Sequence, residues 1–220
     1  MELDVIHNAD CVEGLKQIPN NSVDLVLTDI PYGEVNRSGG LRDYDKGEAD
    51  VVTFDLNELT KTLCDKTRGS IYMFCGTEQV SEIRRTMVQQ GLSPRLVIWE
   101  KTNPAPILGQ YMWLSGIECC VFGRKPKATF NLFCKNSVLR FPCGERDIHP
   151  TQKPVDLFRY LIQASSNEGD IVLDPFIGSG TTAVACIKEK RHFIGFELNT
   201  EFYKSCCKRV RTEQRQLTLF

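Results

Sequence analysis

The sequence has no window of eighteen consecutive apolar residues, so nothing in it is expected to cross a membrane as a helix. The opening Met1-Glu2-Leu3-Asp4 has neither the basic stretch nor the apolar stretch of a secretory leader, and none is expected. Net charge is almost absent: 27 basic residues against 28 acidic ones leave −1. Any surface for a polyanion must therefore be a local patch. Internal repeats and low-complexity tracts are missing too, which excludes solenoids and wholesale disorder. Ten cysteines are present, yet no Cys-x-x-Cys spacing occurs. Cys119-Cys120 and Cys206-Cys207 are adjacent pairs, and Cys75 ends the apolar run from Ile71. That usage predicts reduced, mostly buried thiols of a cytoplasmic protein, with no zinc site. What remains is a globular composition, 41% apolar and 25% charged over 220 residues, enough for one domain with at most a small appendage.

Short apolar runs alternate with helix-period segments, the pattern of an α/β protein with a mainly parallel sheet. Strands are predicted at 23–28, 70–75, 95–100, 117–122, 170–174 and 192–197. Helices are predicted over roughly 56–67 behind Asp55, 77–90 capped by Thr77, 154–166 with Pro154 as first residue, 181–190, and 200 to about 214. Residues 124–148 read as short β pieces or loop. Residues 34–50 read as a polar, mobile loop with a slight acidic excess, better suited to gate a pocket than to bind phosphate.

Two constellations carry chemistry. In the first, the strand Ile171-Val172-Leu173 ends in Asp174, then Pro175-Phe176-Ile177-Gly178-Ser179-Gly180 turns into the helix opened by Thr181. Glycine permits positive φ and close approach of a ligand, and open α/β sheets bind ligands beyond the carboxyl ends of their strands. A second strand, Phe193 to Glu197, follows about twenty residues on and places a carboxylate to accept ribose hydroxyls. Asp174 at the strand tip would repel a pyrophosphate, whereas it suits a cofactor carrying ammonium and sulfonium groups. S-adenosylmethionine carries both. The plain alternative is a generic βαβ unit with a helix-capping turn.

In the second constellation, Asp29-Ile30-Pro31-Tyr32 follows the strand at 23–28. The Asp29 carboxylate and the Ile30 carbonyl offer two acceptors to an exocyclic amine, and Tyr32 offers a face to a base taken out of the duplex. Stacking of that kind is worth about 1–3 kcal/mol per base. A strand-end turn is the plain alternative.

Asp29-Ile30-Pro31-Tyr32, His149-Pro150-Thr151-Gln152-Lys153-Pro154 and Asp174-Pro175-Phe176-Ile177-Gly178-Ser179-Gly180-Thr181-Thr182 together resemble the DNA amino-methyltransferases, adenine-N6 and cytosine-N4, in their β-group motif order. Trp99-Glu100-Lys101-Thr102-Asn103-Pro104 and Ser115-Gly116-Ile117-Glu118 resemble further segments of that family. The resemblance spans roughly residues 5–210. It implies a Rossmann-like class I methyltransferase fold with a mostly parallel seven-stranded sheet and helices on both faces. It also implies a catalytic domain over 1–123 and 149–215 and methyl transfer from S-adenosylmethionine to adenine N6 of a flipped base. By it, Asp174 would hold the cofactor's methionine amino group, Glu197 the ribose hydroxyls and Asp10 the adenine, with Thr151 and Lys153 at the methionine end. Cys11, Phe176, Gly178, Ser179, Gly180, Thr181 and Leu198 would line the same pocket. Asp10 as a helix cap and Lys153 as surface charge are the alternatives. Ile30 stands where the family usually has proline. The carbonyl it would supply survives the change, and the following Pro31 keeps it extended.

Arg124, Lys125, Lys127, Lys135, Arg140, Arg146 and Lys153 outnumber Glu145 and Asp147 between 123 and 153, with Phe130, Phe133 and Phe141 interleaved. The segment 124–148 is therefore expected to be an inserted target-recognition element on double-stranded DNA, a solvated hairpin being the alternative. A second subunit of the same chain, or another partner, would enlarge so short a reading surface. The ending Gln216-Leu217-Thr218-Leu219-Phe220 resembles the peptide by which bacterial replication proteins dock on the sliding clamp, with Gln216 as polar anchor and Leu217, Leu219 and Phe220 as pocket fillers. A bacterial or phage-encoded cytoplasmic protein working at the nucleoid is the expected setting. Cytosine-N4 methylation, RNA methylation and a DNA-binding protein without catalysis are the competing readings.

Overall fold

The computed structural model describes residues 1–32, 54–106, 111–144 and 152–217. Eight strands are found: β1 (Val5–Asn8), β2 (Val23–Asp29), β3 (Thr67–Cys75), β4 (Arg95–Lys101), β5 (Ile117–Arg124), β6 (Val138–Phe141), β7 (Ile171–Asp174) and β8 (His192–Glu197). Six helices accompany them: α1 (Cys11–Lys16), α2 (Leu56–Lys66), α3 (Val80–Gln89), α4 (Val155–Ser165), α5 (Thr181–Lys188) and α6 (Thr200–Leu217). The strands form one sheet in the order β1-β8-β7-β2-β3-β5-β4-β6. Only β5 pairs antiparallel with both its neighbours, β3 and β4; the other pairings are parallel.

β2 lies near the middle of the sheet, and Val23, Leu25, Val26 and Leu27 are wholly buried. Such a strand reads as a continuous apolar run because both its faces are covered. The alternation of its side chains sorts the core into two layers. Leu25 and Leu27 join Tyr72, Phe74, Phe158 and Leu161 on the face of α4, α5 and α6. Val26 joins Ile71, Met73, Leu63 and Met87 on the face of α1, α2 and α3.

The structure corrects several expectations. The sheet has eight strands, not seven. The extra edge strand, β6, comes from the segment 124–148 and runs parallel to β4, Ile98 opposite Val138. Its four residues alternate: Leu139 and Phe141 pack on the core while Val138 and Arg140 face outward. The Trp99 indole N–H donates to the Phe141 carbonyl at 2.9 Å. A four-residue strand is too short to stand out as a periodic signal. β1 was missed for the same reason. α3 begins at Val80, so Thr77 is not its cap. The side chain of Gln79 is occupied elsewhere, as described below. Pro154 is the N-cap of α4 rather than its first residue. α5 stops at Lys188, short of 190, and α6 runs on to Leu217.

All ten cysteines are free, and seven of them are buried. Among the described residues no helix is long and apolar enough to cross a membrane.

Leu27→Ala would leave a cavity under β2, and buried Leu→Ala changes cost about 2–5 kcal/mol. Urea unfolding should show that loss with an unchanged dependence on denaturant.

Candidate active site

β2, β3, β7 and β8 run parallel, so their carboxyl ends open on one edge of the sheet. That edge collects the acidic strand tips. β2 ends in Asp29, its neighbour β7 in Asp174, and the next strand, β8, in Glu197. The two constellations, remote in sequence, become adjacent because β7 pairs directly with β2.

Asp174 is 3% exposed. It accepts from the hydroxyl of Thr182 and, at 3.1 Å, from the main-chain N–H of Phe176. These partners are neutral. Burial therefore dominates and pushes its carboxyl up to about 7. The turn that follows needs left-handed backbone at Gly178 (φ 51°) and Gly180 (φ 82°). A Cβ on Gly180 would also meet the Cys206 sulfur at 2.6 Å, so glycine is required there on two counts. Phe176 packs on Phe54 with ring centres 5.2 Å apart. The Ser179 carbonyl accepts from Arg209 at 3.0 Å, and the Thr181 hydroxyl donates to the carbonyl of Lys153 at 3.3 Å. Glu197 is fixed by main-chain N–H groups, one carboxylate oxygen accepting from Gly178 at 3.1 Å and the other from Asn199 at 2.8 Å. Burial raises its pKa against those bonds. Leu198 is exposed beside it, and Cys11 is buried at the start of α1. Asp10 caps α1, accepting from Val12 at 2.7 Å and Glu13 at 3.3 Å. Thr151 lies outside the described residues, as do the loop 34–50 and residues 218–220.

Around Asp29 the geometry is one of alternating charge. Lys153 Nζ lies 2.5 Å from one Asp29 oxygen, and the Tyr32 hydroxyl donates to the other at 2.8 Å. The same ammonium lies 2.9 Å from Glu118, whose other oxygen lies 2.8 Å from Lys101. It also stands 5.5 Å from the Tyr32 ring centre and 5.7 Å from that of Phe74. Lys153 is 6% exposed, which rules out plain surface charge. Burial works against its ammonium, but Asp29 and Glu118 outweigh burial, and Lys153 titrates above the ordinary lysine value. Burial raises Asp29 despite the pull of Lys153. Burial and the neighbouring Asp29 and Glu118 carboxylates push Tyr32 well above the usual phenol. For Glu118, burial is outweighed by Lys153 and Lys101, and its pKa is lowered.

Ile30 is 2% exposed and fills the core with Leu59 and Leu173. Its N–H donates to the Phe74 carbonyl at 3.1 Å, which proline has no hydrogen to do. The departure thus extends the β2–β3 ladder by one bond. Pro31 is held in turn: Gln79 accepts from the Gly76 N–H at 2.8 Å and donates to the Pro31 carbonyl at 3.2 Å.

The described basic residues of 123–153 do not all lie on one surface. Arg124 ends β5, and Lys125 follows it, at the edge remote from the acidic tips, and they donate to the carbonyls of Ala128 and Thr67. Arg140 pairs with Glu100, Lys153 is buried, and Arg146 lies outside the described residues. Sequence reasoning missed Glu118, Lys101 and Gln79 as parts of the site. A lone acid in the strand Ile117-Glu118-Cys119-Cys120-Val121-Phe122 was the available signal, since a charge there requires a partner.

Comparison with known proteins bears on the family and the fold. The family model for DNA methylases matches residues 123–208. The chain is 32% identical to the type II methyltransferase M.HinfI of Haemophilus influenzae, over 95% of this chain and 68% of that one. The chain belongs to the N6/N4 DNA methylase family. This methylase is also 30% identical to M.HpaI of Haemophilus parainfluenzae, over 93% of its own length and 73% of the relative's. The crystal structure of the M1.HpyAVI–SAM complex superposes with a TM-score of 0.74 at 29% identity, covering 93% of this methylase and 98% of that chain. The class I methyltransferase fold expected from the motifs is the fold found.

The raised Asp174 has a consequence for stability. Its pKa is lifted from 3.8 to about 7 on folding, so the folded methylase binds more protons than the unfolded chain between those values. Stability contributed by this group is full below the lower value and declines as pH rises through the window. Asp174→Asn should abolish that decline. Its stability relative to the parent should grow by about 2–4 kcal/mol from acid to pH ~7 and then level off, measured by denaturant unfolding in the absence of ligand.

Proposed function

We propose that this methylase transfers the methyl group of S-adenosylmethionine to the exocyclic N6 amine of adenine in double-stranded DNA, the target base being extruded from the helix. The observation that carries the reading is the placement of Asp29, with Tyr32 bonded to it, one strand away from the buried, neutrally partnered carboxyl of Asp174. A buried acid of that kind is stabilised by a bound cation. Asp174 would hold the ammonium of the cofactor's methionine, and Glu197, aimed by two main-chain bonds, its ribose hydroxyls. Cys11, Phe176, the turn 178–181, Leu198 and the cap residue Asp10 would complete that half. The cofactor, when bound, supplies an electrophilic methyl on a positively charged sulfur.

The residues of the chain orient and exclude. The Asp29 carboxylate and the Ile30 carbonyl would accept the two amine hydrogens, and the Tyr32 ring would stack on the base. Positioning and preorganised charge supply most of the rate in such a site. Asp, rather than the Ser more frequent in cytosine enzymes of the family, supports adenine. Cytosine-N4 is the alternative arm.

Duplex DNA would approach the acidic edge. From the segment 124–148 it would meet the carboxyl end of β6, and Tyr111, Met112 and Trp113 expose further apolar faces between β4 and β5. The relatives are type II methyltransferases, which supports a restriction–modification setting in a bacterial or phage context, in the cytoplasm and at the nucleoid. The clamp-docking reading of 216–220 rests on its sequence; Gln216 and Leu217 fall in the last turn of α6. A homodimer would extend the DNA-reading surface.

The test is incubation of the protein with plasmid DNA and S-adenosylmethionine, digestion to nucleosides and mass spectrometry. N6-methyladenine is expected. N4-methylcytosine would move the assignment to the other amine, and the absence of any methylated nucleoside would overturn it. Asp29→Ala should lower turnover at least about 1,000-fold while calorimetry shows cofactor binding within about threefold of the parent.

A further inference from the structure

Four charged side chains form a chain that ends at the proposed target pocket: Lys101, Glu118, Lys153, Asp29. Lys101 and Glu118 come from the antiparallel pair β4 and β5, Lys153 from the residue before the cap of α4, and Asp29 from the tip of β2. The charges alternate in sign and sum to zero. Glu118 stands 2.8 Å from one lysine and 2.9 Å from the other, so each of its oxygens serves a different cation.

We propose that Glu118, anchored by Lys101, is a positioning residue for methyl transfer, holding the Lys153 ammonium between two carboxylates so that Asp29 remains free to accept from the amine of the target base. The inference deepens the reading of Asp29 as an acceptor and rests on it. A buried ammonium with a single counter-ion collapses onto that ion, because the low dielectric leaves it no other source of stabilisation. With Glu118 present, the charge of Lys153 is divided. Among the described residues, one oxygen of Asp29 takes Lys153 and the other takes only the neutral Tyr32 hydroxyl. That second oxygen is the one a substrate amine can win by displacing a neutral donor. Lys101 keeps Glu118 ionised and directed at Lys153, while its own position on β4 is fixed by donation of its N–H to the Gly116 carbonyl at 2.8 Å.

Among the described residues the groups facing this chain are few. Asp29 faces Lys153, Tyr32 and Glu118, with Asp174 on β7 and the thiols of Cys75 and Cys120 behind it. Glu118 faces both lysines, Tyr32 and the thiol of Cys119. Burial keeps these thiols protonated. Removing the negative charge of Glu118 therefore lowers the pKa of Asp29, of Tyr32 and of Lys153 together.

Glu118→Gln and Lys101→Met test the proposal with the full chain. For Glu118→Gln, labelled-methyl transfer to DNA should show kcat reduced about tenfold or more, with KM for DNA and the dissociation constant for S-adenosylmethionine within about twofold of the parent. Its pH–rate profile should be displaced toward acid. Lys101→Met should lower kcat in the same sense and less. A Glu118→Gln protein with parental kcat overturns the inference. So does one that loses kcat without displacement of the profile while its thermal midpoint falls, which marks a merely structural role. If Glu118→Gln does not fold, parental kcat in Lys101→Met overturns the proposal. Absence of transfer by the parent itself would instead remove the reading of Asp29 on which the inference stands.

Discussion

The structure depends on one buried cation. Lys153 brings an ammonium into the interior between Asp29 and Glu118, and its carbonyl accepts from Thr181 at the mouth of the glycine turn. Desolvating an ammonium costs several kcal/mol, so it is tolerated only where opposite charges are fixed in advance. Here the fixing is done by three strands of one sheet and a helix cap, already held together by their ladders and apolar core. A single side chain thereby ties the strand tip of Asp29 to the turn that follows Asp174.

The two halves of the edge are electrostatically unlike. The Asp29 half is closed and balanced, each carboxylate facing a lysine. The Asp174 half is open in the electrical sense, with a buried carboxyl whose described partners are neutral hydroxyl and main-chain N–H groups. A cationic ligand has a place in the second half and none in the first. In the proposed function that asymmetry would keep a positively charged methyl donor and a neutral base apart but adjoining, and it follows from the pairing of β7 with β2. The alternation of apolar residues along these strands supplies the rigidity, with core on both sheet faces holding the acidic tips in register.

Much of this was legible in the sequence. Long apolar strands flanked by helix-period segments announced the α/β sheet, and the glycine turn after Asp174 announced the end of β7 at which the acidic tips gather. The β1 and β6 strands were not legible, since four residues carry too little periodicity and their pairing is decided by distant partners, Ile194 for Val5 and Ile98 for Val138. The cap of α3 went wrong because Thr77 is a good capping residue by type, while the chain turns once more and uses Gln79 to strap Pro31. Lys153 was read toward the cofactor. Its ammonium turns to Asp29, a partner 124 residues away in sequence. The basic excess of 123–153 dissolved once the sheet set Arg124 and Lys125 at the opposite end from the acidic tips. Charge counts along a chain do not say which end of a strand a residue occupies.

The most direct measurement is the turnover of Lys153→Met, assayed as labelled methyl transferred to DNA by protein shown to be folded. Without the ammonium, Asp29 and Glu118 repel; Glu118 keeps Lys101, so Asp29 takes the proton and the charged acceptor at the strand tip is lost. Turnover should fall by at least about 100-fold with S-adenosylmethionine binding retained. Turnover within about threefold of the parent would contradict the claim that the buried lysine organises the site.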